Sequence, residues 1–86
     1  MSRLDKAAIR SLMADVLTTQ GKTLPDDDAA SLREIGFRSL DFSELALRVE
    51  DEVDKELNFE AAELRQIETV ADVLALLEEL QGDLAS

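Results

Sequence analysis

Residues 36–57 read GFRSLDFSELALRVEDEVDKEL. From Leu40 onward, Leu45, Val49 and Val53 recur every four residues, and Phe42, Ala46 and Leu57 extend the apolar pattern. That spacing predicts an amphipathic helix over residues 40–57. Its polar side is densely acidic, with Asp41, Glu44, Glu50 and Asp51 among seven carboxylates that oppose only Arg48 and Lys55. Asp41 and Glu44 stand in the first turns, where the helix dipole favours negative charge. Glu44 precedes Arg48 by four residues, a favourable surface pair. Carboxylates further along gain nothing from the dipole and repel one another, so a basic partner surface would give them a use. Ser39 stands just ahead of this helix. As an N-cap it would accept a hydrogen bond from a helix-start N–H. As an exposed hydroxyl at the positive end of a helix it would suit an attached phosphate ester.

Outward from this segment the pattern stays helical. Leu4, Ala8, Ile9, Leu12, Met13, Val16 and Leu17 share one side of a predicted helix over residues 3–19, with Ser2 as its cap and Gly21 beyond its end. Between the two helices lies a connection of about eighteen residues, longer than most unstructured loops. It is expected to be pinned by Leu24, Leu32, Ile35 and Phe37, with a short turn near residues 29–33. Asp26, Asp27 and Asp28 lack the ordered oxygen pattern of a calcium loop and read as a solvated turn. A short helix over residues 60–64 or 60–65 turns Phe59, Ala62 and Leu64 inward. Thr69 and Asp72 resemble a capping box at the start of a last helix, which Gly82 stops. The predicted core is Leu12, Val16, Leu45, Val49, Val53, Leu64, Ile67, Val73, Leu74 and Leu77. No strand pattern and no internal repeat is found. The expected fold is all-α, a four-helix bundle of three longer helices and a short third one, forming a single domain over residues 1–86.

Composition narrows the function. The 86 residues carry 20 acids against nine bases, a net charge of −11, which opposes binding to nucleic acid or to an anionic membrane. Cysteine and histidine are both absent, which removes disulfides, thiol nucleophiles, the usual zinc ligands and the commonest general base. No apolar run approaches the roughly 18 residues of a membrane span, and no signal-peptide core follows the amino terminus. A cytoplasmic monomer is expected, with no metal site and no catalytic residue. Ser39 has no histidine to activate it and no recognisable lysine partner, and GFRSL is not the nucleophile elbow of a hydrolase. Chemistry at Ser39 must therefore come from another enzyme.

Residues 34–45, EIGFRSLDFSEL, resemble the attachment site of acyl and peptidyl carrier proteins. That family usually shows a glycine, two spacers and Asp-Ser-Leu, then an acidic recognition helix. Ser39 matches the serine that carries 4′-phosphopantetheine, Leu40 the following leucine and Asp41 the acid after it. Glu44 and Leu47 match positions that commonly face partner enzymes. The similarity runs over residues 4–80 and includes the short third helix and the Thr69-Val70 entrance to the last. One position departs: Arg38 stands where the family usually has aspartate, reversing the charge beside the attachment point.

The resemblance implies a non-catalytic, free-standing carrier that is itself the substrate of a phosphopantetheinyl transferase. An acyl- or aminoacyl-loading enzyme would charge the arm, and downstream synthase, transferase or tailoring enzymes would act on the cargo. Asp41, Glu44, Glu50 and Asp51 are the expected docking acids, Leu47 an apolar anchor and Arg48 a modulator of partner choice. The unusual site favours specialised polyketide, nonribosomal peptide or related biosynthesis over fatty-acid synthesis. The rival reading is an unmodified acidic helical adaptor in which Ser39 is only a cap.

Overall fold

The computed structural model describes residues 4–54 and 56–81. It contains five helices: α1 Lys6–Thr18, α2 Leu32–Ile35, α3 Ser39–Val53, α4 Ala61–Gln66 and α5 Val70–Leu80. The all-α expectation holds, with α2 added as a single turn inside the long connection. The one β feature among the described residues is an isolated bridge between Ser31 and Thr69.

Local chemistry sets the ends of these helices. Asp5 caps α1, its Oδ1 accepting from Ala8 N–H at 2.9 Å. The helix thus starts at Lys6 rather than residue 3, and the expected cap Ser2 lies outside the described residues. At the other end Gly21 takes φ +75°, and Lys22 N–H reaches back to the Leu17 carbonyl at 2.9 Å while Gly21 N–H bonds Thr18 at 3.0 Å. Gly36 closes α2 in the same way, at φ +83° with Phe37 N–H on the Leu32 carbonyl. Paired bonds around a left-handed residue satisfy carbonyls that a helix end would otherwise leave open. The capping box at Thr69 is present as read: Thr69 Oγ1 accepts from Asp72 N–H at 3.3 Å, and Asp72 Oδ2 accepts from Thr69 N–H at 3.1 Å.

The predicted second helix is too long. It ends at Val53 because Asp54 adopts a left-handed conformation, φ 54° and ψ 42°. Glu50 Oε2 then accepts from Leu57 N–H at 2.7 Å, turning the chain so that Leu57 is buried beyond the helix rather than within it.

The core is a three-helix layer. Ile9, Met13, Val16 and Leu17 of α1 meet Phe42, Leu45, Val49 and Val53 of α3, and Val70, Val73, Leu74 and Leu77 of α5. Phe59, from the segment before α4, meets Phe42 edge-to-face with centroids 5.1 Å apart. Three expected core residues, Leu12, Leu64 and Ile67, are only partly buried, and Ala62 is exposed. The short α4 lies at the margin, so its apolar side chains cover the core instead of filling it.

Apolar anchors and polar bonds together order the long connection. Leu32 and Phe37 are buried, while Leu24 and Ile35 pack against them in part. Leu32 N–H bonds the Glu68 carbonyl at 2.9 Å, and Ala71 N–H bonds that of Asp28 at 2.8 Å. Arg10 ties the aspartate run to α1 through Asp28 Oδ1 at 2.7 Å and also donates to the Pro25 carbonyl. This brings α2 and the start of α3 against the α4–α5 junction.

Candidate attachment site at the start of α3

Ser39 is the first helical residue of α3, not its cap. Arg38 holds the cap position in extended conformation, and its side chain offers no acceptor. Asp41 does the capping instead, its Oδ2 accepting from Arg38 N–H at 2.8 Å. The first intrahelical bond runs from Phe42 N–H to the Arg38 carbonyl at 3.0 Å. The N–H groups of Ser39, Leu40 and Asp41 precede it and point out of the positive end of a 15-residue helix. Ser39 is exposed and its hydroxyl makes no hydrogen bond among the described residues.

The neighbours divide into two groups. Leu40 is 83% exposed and Leu47 56%, and with the exposed Glu44 and Asp51 they recur at helical spacing along one stripe. Arg48 pairs with Glu44 at 3.7 Å and is half-buried. Asp41 and Glu50 differ from the expectation of a common docking face. Asp41 is only 7% exposed, with one oxygen on Arg38 N–H and the other accepting from Gln20 Nε2. Glu50 is half-buried and holds the turn after α3. Both carboxylates are engaged by the fold, and of the expected docking residues Glu44, Leu47 and Asp51 are the exposed ones.

Beside Ser39 lies an open groove of ≈ 570 Å³. Leu32, Phe37, Leu64 and Ile67 line it together with Arg33, Arg38, Ser31 and Glu68. Neither arginine has an ion pair among the described residues. The groove thus carries Arg33 and Arg38 together with Glu68 and the exposed Ser39. Sequence reading missed Arg33, Gln20 and Lys22. Their signal is tertiary, because each comes from the connection between α1 and α3, which carries no periodic pattern.

Residues 7–77 match the model of the family described as phosphopantetheine attachment site. The chain belongs to that carrier-protein family. This carrier is also 35% identical over 74 residues to an acyl carrier protein of Akkermansia muciniphila, covering 86% of this chain and 89% of the relative. No solved structure gives a significant match. The prosthetic group of the family is 4′-phosphopantetheine. The carrier's residues suit it: an exposed serine hydroxyl, helix-start N–H groups and the neighbouring Arg38 guanidinium would meet a phosphodiester there, and the groove adjoins them.

Proposed function

We propose that Ser39 Oγ is the attachment point of 4′-phosphopantetheine, and that the chain is a carrier of acyl or aminoacyl thioesters. The observation that carries this reading is the division of labour at the start of α3. Asp41 caps the helix, which leaves the Ser39 hydroxyl exposed and uncommitted. When bound, the group supplies a thiol at the end of a long arm, so the chain needs no cysteine of its own. Tethering raises the local concentration of the cargo at each partner.

The chain's residues act by presentation. Ser39 Oγ would receive the group from coenzyme A on a phosphopantetheinyl transferase: an Oγ–P bond replaces the pyrophosphate P–O bond, adenosine 3′,5′-bisphosphate leaves, and the hydroxyl proton passes to the transferase. The first N–H groups of α3 and the Arg38 guanidinium oppose the charge of the resulting phosphodiester. Arg38 also sets which transferase accepts the site. The stripe Leu40, Glu44, Leu47 and Asp51 is the proposed docking face for loading and downstream enzymes. Acids on it steer basic partner surfaces, and the two leucines bury on contact. Arg48 trims the acidic face and so selects among partners. Among the described residues no helix is long and apolar enough to cross a membrane. A monomer working in the cytoplasm, in specialised polyketide, nonribosomal peptide or related biosynthesis, fits this reading better than fatty-acid synthesis.

Incubation with coenzyme A and a transferase, followed by intact-mass analysis, tests the assignment. One phosphopantetheinyl group should be gained, and peptide mapping should locate it on Ser39. A chain left unmodified by several transferases, one from its own host among them, would instead be an acidic helical adaptor.

A further inference from the structure

The hydrogen bonds around the start of α3 form a relay that reaches outside the helix. Asp41 Oδ1 accepts from Gln20 Nε2. Gln20 Oε1 accepts from Lys22 Nζ at 2.9 Å, and the same ammonium donates to the Gly36 carbonyl at 2.7 Å. Three places distant in sequence are thereby joined: the turn after α1, the glycine that closes α2, and the first turn of α3. Ser39 lies between the last two, Gly36 and Asp41.

The relay has a fixed polarity. An ammonium only donates, a carboxylate only accepts, and an amide does both. Gln20 therefore satisfies both ends in a single orientation, Nε2 toward Asp41 and Oε1 toward Lys22. Asp41 is nearly buried with Gln20 in place, so its Oδ1 is held by that amide rather than by open solvent. The lysine also lies close against the backbone at Gly36. Gly36 sits at φ +83°, and a Cβ there would stand 3.1 Å from Lys22 Nζ.

We infer that Gln20 and Lys22 are positioning residues for the modification of Ser39: the relay Lys22–Gln20–Asp41 fixes where α3 begins and so the direction in which the Ser39 hydroxyl is presented. The inference rests on Ser39 being the attachment point. Without Gln20 or Lys22, Asp41 loses its support and releases Arg38 N–H, and the first turn of α3 frays. Neither residue belongs to α3, and of the outer stripe only Leu40 lies in the frayed turn, so Glu44, Leu47 and Asp51 keep their places for docking. The cost falls on turnover rather than on binding.

The test measures priming kinetics by intact mass, with a transferase that modifies the wild-type chain. The variants are Gln20→Ala, Lys22→Met, the double variant and the conservative Lys22→Arg. Amide exchange at Arg38 is followed in the same proteins. Gln20→Ala and Lys22→Met are expected to lower kcat about tenfold with KM within about twofold, the scale of one charge-assisted hydrogen bond. Exchange at Arg38 N–H should accelerate by a similar factor. The double variant should be no worse than Gln20→Ala, since one relay is broken once, and Lys22→Arg should restore most of the rate. Wild-type kcat in both single variants, a pure rise in KM, or additive losses in the double variant would overturn the relay. A wild-type chain that gains no mass overturns the attachment assignment itself, and the two failures are thus told apart.

Discussion

At the scale of single residues, the start of α3 turns on which side chain does the capping. Helix caps are commonly Ser, Thr, Asp or Asn, so Ser39 invited that role. Arg38 takes the position instead, because Asp41 reaches back to its N–H. Ser39→Ala should therefore abolish modification while leaving helicity and unfolding midpoint nearly unchanged. A loss of about 1 kcal/mol or more in denaturant unfolding would mean that the hydroxyl caps the helix after all. Asp41→Ala should show the opposite pattern, losing about 1 kcal/mol of stability through the missing cap. Arg38→Asp tests the charge reversal beside the site. It should quicken priming by a general transferase and slow priming by the native one, with rates measured side by side. Equal rates for both proteins with both transferases would remove Arg38 from recognition.

At the scale of elements, α5 and the face of α1 were legible in the sequence because their signals are local. Thr69 and Asp72 announce a cap within four residues, and the apolar spacing that follows has one interpretation. The end of α3 was not legible. Acidic and apolar residues continue in helical register to Leu57, and only the left-handed turn at Asp54, held by Glu50, breaks them. The groove beside Ser39 was hidden for a related reason, since α2, α3 and α4 form it together. The α5 cap also makes a pH prediction. Asp72 is held below its ordinary 3.8, chiefly by accepting from Glu68 N–H at 2.9 Å and then from Thr69, against the opposing effect of burial. A lowered carboxyl pKa contributes stability that is complete above the unfolded value and is lost as pH falls through the folded one. The stability gap between wild type and Asp72→Asn should thus be widest near neutrality and close in acid below the ordinary value. A gap that widens on acidification would contradict the cap. On α3, Glu44→Lys with Asp51→Lys should slow partner reactions several-fold at low salt, an effect that shrinks as salt screens it. Partner kinetics unchanged at low salt would exclude this stripe.

At the scale of the whole molecule, the core and the site make separate demands. Phe42 is fully buried against Phe59, three residues beyond Ser39 on the inner face of α3. Phe42→Ala should cost about 3–5 kcal/mol in denaturant unfolding, a large share of what a small domain has. The helical class and most of the core were readable from periodicity, because burying one face is a whole-molecule requirement that every helix obeys. The roles of Asp41 and Glu50 were not, because charge alone does not reveal whether a carboxylate faces a partner or the backbone. The family match fixes the kind of molecule, and the exposed hydroxyl of Ser39 is its proposed point of action. Intact-mass analysis of wild-type and Ser39→Ala chains, incubated with coenzyme A and a phosphopantetheinyl transferase, meets this claim most directly. The wild-type chain should gain one phosphopantetheinyl group and the Ser39→Ala chain none; a group gained equally by both would place the attachment elsewhere and contradict the account.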